Sequence, residues 1–119
     1  MAVKVVDASA LAAVLFGEPA AEEVASRLEG NALAAPVLIE YELGNTCWKK
    51  CRRYPKLVKA LTTGLETVGE LDLQLHDVDL VPVLQLAMRR NVTFYDASYL
   101  WLAQQLNAEL VTLDERLAP

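Results

Sequence analysis

Short apolar runs that alternate with helical segments are the feature of this chain that most restricts its fold. Residues Val3–Val6 and 109–113 predict short strands, each ending at an aspartate, and residues 71–75 alternate in polarity as a short or edge strand does. Strands separated by helices favour the α/β class, with a parallel sheet flanked by helices. Helices are predicted over residues 8–16, 19–30, 36–53 (opened by Pro36), 56–68, 78–90 and 95–106.

Length and composition indicate one folded domain over residues 1–119. The chain is 54% hydrophobic and 23% charged, whereas disordered chains combine low hydrophobicity with high net charge. No apolar run reaches the roughly 18–20 residues of a membrane span, and the first residues do not resemble a secretory signal. We therefore expect a soluble, cytoplasmic protein without a membrane partner, and the apolar excess predicts a subunit interface.

The charge of the chain is unevenly distributed. Lys and Arg number 11 against 16 Asp and Glu, a formal net charge of -5 that by itself argues against a nucleic-acid-binding protein. More than half of the cations nevertheless fall in one short window, which predicts a basic pole on an acidic protein. They are Lys49, Lys50, Arg52, Arg53, Lys56 and Lys59.

The two cysteines, Cys47 and Cys51, lie four residues apart in a predicted helix. This spacing stacks them on one face, where we expect them to act as small packing residues. A disulfide framework is not expected from one pair in a cytosolic chain. A metal site formed with His76 would still lack a fourth ligand.

Three aspartates share a local setting, since Asp7, Asp96 and Asp114 each follow an extended apolar run. Taken singly, each is as well explained as a helix N-cap, because Asp accepts hydrogen bonds from the free N–H groups of a first turn. Taken together they favour a site, because ligands of an open parallel sheet bind beyond the carboxyl ends of its strands.

A fourth acid, Glu42, begins a polar stripe on the long predicted helix. At about 100° per residue, Asn45, Lys49 and Arg53 fall on the same side as Glu42. The alternative explanation is a solvated helix face with no function. The opposite side is predicted to be an apolar stripe of Val37, Tyr41, Gly44, Trp48 and Cys51.

Four converging carboxylates would repel one another. Two like charges ~5 Å apart repel by about 3 kcal/mol at an effective dielectric constant of about 20, so a cluster persists only with raised pKa values or a bound cation. With no Cys or His at the cluster, the ligands are oxygens, which favour Mg²⁺ or Mn²⁺ over Zn²⁺. A bound metal of this kind activates water, and a basic stripe holds phosphates, so the residues predict a metal-dependent nuclease.

The same residues resemble the PIN-domain family, and in size and motifs its VapC-type toxin ribonucleases. The resemblance rests on four motifs in order along nearly the whole chain. They are Val5-Val6-Asp7-Ala8-Ser9, Glu42-Leu43-Gly44-Asn45, Tyr95-Asp96-Ala97 and Leu110-Val111-Thr112-Leu113-Asp114.

This resemblance implies a three-layer α/β/α sandwich with a central parallel sheet of four or five short strands. It implies an acidic pocket of Asp7, Glu42, Asp96 and Asp114 that binds one or two Mg²⁺ or Mn²⁺ ions and cleaves RNA to a 5′-phosphate and a 3′-hydroxyl. It also implies a homodimer and an antitoxin protein that blocks the pocket with a C-terminal segment. Thr112 matches a hydroxyl residue that supports the site, and Asn45 matches a frequent polar neighbour.

Roles follow from these positions. We expect Asp7 to be the principal metal ligand, with Asp96 and Asp114 completing the coordination directly or through water. Glu42 either binds a second metal or orients the attacking water. Candidate contacts to RNA phosphates are Lys49, Arg52 and Arg53, whereas Trp48, Trp101, Tyr99 and Phe94 are expected in the core or at a dimer interface.

Two other functions are consistent with the pattern in part. A phosphoacceptor receiver domain also has an acidic Mg²⁺ site, but it needs paired acids after the first strand, where this chain has only Asp7, and a Lys after the last. A PIN-like domain that only binds a partner and has lost catalysis is the stronger alternative. Loss of one of the four acids would indicate it, and all four are present.

Overall fold

The computed structural model describes residues 2–118, which form a four-stranded parallel sheet covered by helices. No helix within that range is long and apolar enough to cross a membrane. Short 3-10 helices occupy Pro55–Leu57 and Thr67–Glu70. The other elements, in chain order, are β1 (Val3–Val6), α1 (Ala8–Leu15), α2 (Ala21–Leu28), β2 (Ala32–Pro36), α3 (Ile39–Arg53), α4 (Val58–Glu66), β3 (Leu73–His76), α5 (Leu80–Arg90), α6 (Phe94–Gln105) and β4 (Glu109–Val111).

The strand order is β3-β2-β1-β4, and every pair is parallel. β1 is an inner strand, in which Val5 lies opposite Ala34 of β2 and Leu110 of β4. Because the strands run in one direction, their carboxyl ends share one edge of the sheet. Residues that follow different strands, though distant in sequence, meet at this edge.

Helices enclose the sheet and complete the core. α6 packs on β1 and β2, and α5 packs on α6, whereas α1 contacts α2 and α3, and α3 contacts α4. The predicted α/β/α sandwich with a parallel sheet is confirmed, with four strands in the described part of the chain. At its centre are fully buried aliphatic residues, among them Val5, Val6, Leu11, Ile39 and Val111.

Sequence patterns do not predict β2. Alanine favours helices, and residues 32–36 lack the polar alternation of a half-exposed strand. Ala34 and Ala35 are fully buried, as is typical of an inner strand covered on both faces. The expected helix start at Pro36 is wrong, because Pro36 is the last residue of β2 and α3 begins at Ile39.

The cysteines lie on α3, and both are free. Cys47 is buried, with its Sγ 3.6 Å from the carbonyl oxygen of Leu61 and 4.0 Å from the Sγ of Cys51. The expected packing role therefore agrees with the structure.

Candidate active site

Four acidic side chains lie at the carboxyl edge of the sheet. Asp7 directly follows β1, and Asp114 follows β4, the strand paired with β1. Glu42 lies in the first turn of α3 and Asp96 in the first turn of α6. The negative charges of Asp96 and Asp7 act on Glu42, and Arg116 contacts both Asp96 and Asp114. The fold thus brings to one edge of the sheet the four acids that the sequence motifs predict as site residues.

Asp7 is only 4% exposed and is held by three hydrogen bonds. Its Oδ1 accepts from Ser9 Oγ at 2.7 Å and from the backbone N of Ala10 at 3.0 Å, which makes Asp7 the N-cap of α1. Its Oδ2 accepts from Thr112 Oγ1. A carboxylate offers about four lone-pair sites, so Oδ2 keeps one for a cation. Capping and metal binding are therefore compatible roles for this residue.

Two hydroxyl groups brace the segment after β4 against the start of α1. Thr112 Oγ1 donates to Asp7 and accepts from the backbone N of Asp114 at 2.9 Å. Ser9 Oγ donates to Asp7 and accepts from the backbone N of Leu113 at 3.0 Å. The brace fixes Asp114 relative to Asp7. Ser9 is absent from the predicted site, although it belongs to the motif that begins at Asp7.

Asp96 has a local structure different from the expected one. The apolar run before it is not a strand, since α6 begins at Phe94 and Thr93 is the N-cap. The hydroxyl of Thr93 accepts from the backbone N of Asp96 at 3.0 Å. Because Thr93 caps the helix, the Asp96 carboxylate is not needed there, and it lies in a first turn where the helix dipole favours negative charge.

Asp114 is paired with Arg116, which is absent from the site predicted from the sequence. Arg116 donates to Asp114 Oδ1 from Nε at 3.2 Å and to Oδ2 from Nη2 at 2.8 Å. Nη2 also lies 3.4 Å from Oδ2 of Asp96. Hydrogen bonds from the Arg116 side chain hold the pKa of Asp114 below its usual value. A turn and not a helix follows Asp114, so the alternative explanation of Asp114 as a helix N-cap is wrong.

Glu42 is half-buried and receives a hydrogen bond from Tyr99, whose hydroxyl lies 2.5 Å from Oε1. Burial raises the pKa of Glu42; the hydrogen bond from Tyr99 opposes this rise, and the charges of Asp96 and Asp7 add to it. Tyr99 is 2% exposed, and burial also raises the pKa of its phenol. It was expected in the core, which is correct, but its hydroxyl is part of the site. Its position three residues after Asp96 on one helix face is the signal for this role.

A cavity of about 470 Å³ lies beside Glu42. Ser9, Asn45 and Lys49 line this cavity together with Glu42. Asn45, predicted to support the site, and Lys49, predicted to contact RNA, therefore both lie next to one of the acids. Lys50, the next cation along α3, is instead paired with Glu18 at 2.9 Å.

The faces of α3 differ from the expected ones. Its buried residues are Ile39, Leu43 and Cys47, which recur every four positions, whereas Tyr41 and Trp48 are 78% and 55% exposed. The predicted apolar stripe through Tyr41 and Trp48 is therefore wrong, because the aliphatic residues face the core and turn the aromatic ones outward. Trp48 is not a core residue, and its interface role stays a prediction.

Arg52 and Arg53 lie in the last turn of α3, farther along the helix than Lys49. The guanidinium of Arg52 stacks over the Trp48 ring, 5.1 Å from its centroid, and that of Arg53 over Tyr54 at 5.4 Å. Both remain exposed and so form a basic surface at the end of the helix. Their contact with RNA stays a prediction.

The donor set fits a hard divalent cation that keeps much of its water. Within residues 2–118, no three acidic, His or Cys side chains are close enough to share an ion. Mg²⁺, however, is usually bound through one or two carboxylates, with water and substrate phosphates as its other ligands. The guanidinium of Arg116 between Asp96 and Asp114 demonstrates that this pair accepts a positive charge.

Comparison with known proteins gives a consistent set of relatives. A profile of the PIN domain matches residues 4–118. Ribonuclease VapC3 of Pyrobaculum aerophilum is 34% identical over 119 residues, which cover 96% of this chain and 91% of that protein. Exonuclease VapC9 of the same organism is 39% identical over 85 residues, which cover 71% of this chain and 64% of that protein.

Two solved structures resemble the fold. A crystal structure of a Pyrobaculum aerophilum protein has a TM-score of 0.78 at 32% identity, and the match covers 98% of this chain and 77% of that protein's chain. Mycobacterium tuberculosis VapC20, described as a sarcin-ricin loop cleaving toxin, has a TM-score of 0.65 at 16% identity, covering 98% and 92%. At that identity the second likeness concerns the fold alone.

Proposed function

The chain belongs to the PIN-domain family, and on that basis we propose that it is a divalent-metal-dependent endoribonuclease, the toxin of a VapBC toxin–antitoxin pair. Both curated relatives carry the name VapC, and the one that matches nearly the whole chain is named a ribonuclease.

The convergence of four carboxylates at one edge of the sheet is the observation that carries this proposal. Asp7, Glu42, Asp96 and Asp114 come from different parts of the chain, and the repulsion of Glu42 by Asp7 and Asp96 has no structural benefit. Such a cluster is expected where a cation and an anionic substrate meet. Lys49, which lines the cavity beside Glu42, supports the presence of an anionic substrate.

Asp7, Asp96 and Asp114 would hold the ion together, one or two of them through a carboxylate oxygen and the rest through its bound water. PIN-domain nucleases generally need a divalent metal, and oxygen-only ligands favour Mg²⁺ or Mn²⁺. When bound, the ion lowers the pKa of the attacking water and neutralises charge on the phosphate.

Glu42 orients the attacking water in this proposal and accepts its proton. Tyr99 occupies Oε1, which leaves Oε2 to face the water. A carboxyl whose pKa is raised by burial is a stronger base than an exposed one, which suits this role.

The RNA backbone would follow the basic side of α3. Lys49 and Asn45 contact it nearest to Glu42, and Arg52 and Arg53 contact phosphates farther along the helix. Contacts to phosphates position RNA without reading its sequence.

Two protein partners belong to the proposal: an antitoxin that covers the acidic site, and a second copy of the chain. Exposed apolar residues on α5 support a homodimer, since burial of such a patch favours association. They are Leu80, Val81, Leu84 and Met88.

The test is cleavage of labelled RNAs by purified, antitoxin-free protein with Mg²⁺, Mn²⁺ or EDTA. We expect cleavage with a divalent ion, none with EDTA, and none by Asp96→Asn. Glu115→Gln, which removes an exposed acid next to Asp114, is the matched control and should remain active. Absence of cleavage by the folded wild-type protein with every ion and RNA would favour the partner-binding module instead.

Endonuclease and exonuclease activity are separated by substrate shape. A circular RNA has no ends, so an endonuclease cuts it and an exonuclease does not. We expect the circular and linear forms of one RNA to be cut with the same dependence on Mg²⁺. Cleavage of the linear form alone would instead match the name of the second curated relative.

A further inference from the structure

The guanidinium group of Arg116 lies on two of the four carboxylates. It contacts both oxygens of Asp114, through Nε at 3.2 Å and Nη2 at 2.8 Å, and Nη2 also reaches Asp96 Oδ2 at 3.4 Å. Asp114 therefore faces a cation on both oxygens. A metal ion held by Asp114 would have to take at least one of them.

If a metal ion were to replace Arg116 on Asp114, only the side chain of Arg116 would have to move. The backbone N of Arg116 donates to Asp114 Oδ1 at 3.0 Å, and the backbone N of Leu117 donates to the carbonyl oxygen of Asp114 at 3.0 Å. Leu117 is buried and anchors the turn, whereas the side chain of Arg116 is 67% exposed. An exposed ion pair is weak enough to be exchanged without disturbing the fold.

We propose that Arg116 changes partner during the working cycle of the site. Without a divalent ion it takes the position of the cation on Asp96 and Asp114, and binding of the ion releases it to contact an RNA phosphate. The planar fork of a guanidinium fits phosphate oxygens as well as carboxylate oxygens. Since the backbone stays anchored, the released group remains at the rim of the acidic site. This inference rests on the proposed function, because it needs both a divalent ion and RNA.

The first measurement observes Arg116 directly by NMR, in protein without RNA. The side-chain Nε–H signal of Arg116 is assigned by its loss in Arg116→Lys and followed while Mg²⁺ is added. We expect this signal to shift. The signal of Arg27, which pairs at 2.8 Å with Glu109 at the opposite end of β4, should not shift. An Arg116 signal that stays unmoved while Mg²⁺ saturates the protein would overturn the proposal.

Calorimetry of Mg²⁺ binding measures the competition without relying on catalysis. Arg116→Gln should bind Mg²⁺ about fivefold more tightly than the wild type, the factor expected when an exposed ion pair no longer competes. Arg27→Gln removes the same charge from a distant pair and should bind as the wild type does. Equal affinities of Arg116→Gln and wild type would contradict displacement. If neither protein binds Mg²⁺, both this inference and the proposed metal dependence fail.

RNA-binding measurements test whether the released Arg116 contacts an RNA phosphate. In a Glu42→Gln background, chosen to prevent cleavage, the affinity for a fluorescent RNA is measured with and without Mg²⁺. Adding Arg116→Gln should weaken RNA binding by about threefold to fivefold with Mg²⁺ and lower the salt dependence by about one phosphate contact. Without Mg²⁺ it should change little, because Arg116 is then held by the carboxylates.

The outcomes separate this inference from the proposed function. An equal effect of Arg116→Gln with and without Mg²⁺ would identify Arg116 as a permanent surface cation and overturn the exchange of partners. RNA that fails to bind under both conditions would count against the ribonuclease itself. The NMR and calorimetric results would then still decide whether a divalent ion displaces Arg116.

Discussion

Tyr99 and Glu42, 57 positions apart in the sequence, are joined by a 2.5 Å hydrogen bond from the phenol hydroxyl to Oε1. The bond links α6 to α3 across the acidic site. Burial alone would raise the pKa of Glu42 further, and the bond opposes that rise by favouring the charged form. Tyr99 thus acts on the site through Glu42, as a positioning residue.

Tyr99→Phe should therefore shift the pH dependence of cleavage. Loss of the bond raises the pKa of Glu42, so the acid limb of the pH–rate profile moves to higher pH while activity well above it is retained. Loss of a hydrogen bond to a half-buried carboxylate should also lower the free energy of unfolding by about 1–2 kcal/mol. Both are measured on the purified variant, by cleavage rate against pH and by urea unfolding. An unchanged acid limb would show that Tyr99 has only a packing role.

Glu42→Gln should make the protein more stable at pH 7 while lowering its cleavage activity. Because the pKa of Glu42 in the folded protein is raised above 4.5, its contribution to stability is fully present below that pH and is lost as pH rises through the raised value. Gln resembles the protonated acid and keeps an acceptor for Tyr99. The variant should match the wild-type Tm near pH 4 and exceed it at pH 7, while kcat falls by about 10²–10⁴-fold. A lower Tm than wild type at pH 7 would contradict the argument.

Thr112→Val should weaken the site without removing an acid. Thr112 is 7% exposed, and its hydroxyl serves both Asp7 and the backbone N of Asp114. Valine has nearly the same shape but leaves both groups unpaired, at a cost of about 1–3 kcal/mol in the free energy of unfolding. Mg²⁺ affinity should fall as well, because the brace holds Asp114 near Asp7. Thr112→Ser keeps the hydroxyl and should retain most of the free energy of unfolding and of the Mg²⁺ affinity. Urea unfolding measures the first quantity and calorimetry the second.

The sequence predicts the overall fold well because its signals are local. β-branched residues mark β1, and the Gly17 that follows α1 has φ 65°, which glycine adopts at little cost. β2 escapes prediction because the burial of Ala34 and Ala35 on both faces is a property of the assembled sheet. Alanine by itself gives no strand signal.

The site is predictable only in part for a similar reason. Parallel strands bring Asp7 and Asp114 to one edge wherever the strands lie in the sheet. The roles of Tyr99 and Arg116 depend instead on where single side chains point after folding. An aromatic residue on α6 is most simply explained as core, and an arginine near the end of the chain as surface, until Glu42 and Asp114 are found beside them.

Lys49→Gln should weaken RNA binding more than Lys50→Gln, although both remove one positive charge from the same helix. Lys49 is exposed and lines the cavity beside Glu42, whereas Lys50 is paired with Glu18 at 2.9 Å and is less available to a phosphate. Each phosphate contact to single-stranded RNA contributes about 0.7 to the slope of log affinity against log salt. Lys49→Gln should lower that slope by about this amount and Lys50→Gln should leave it nearly unchanged, as RNA affinities at several salt concentrations would measure. Equal slopes for the two variants would place the RNA away from this cavity.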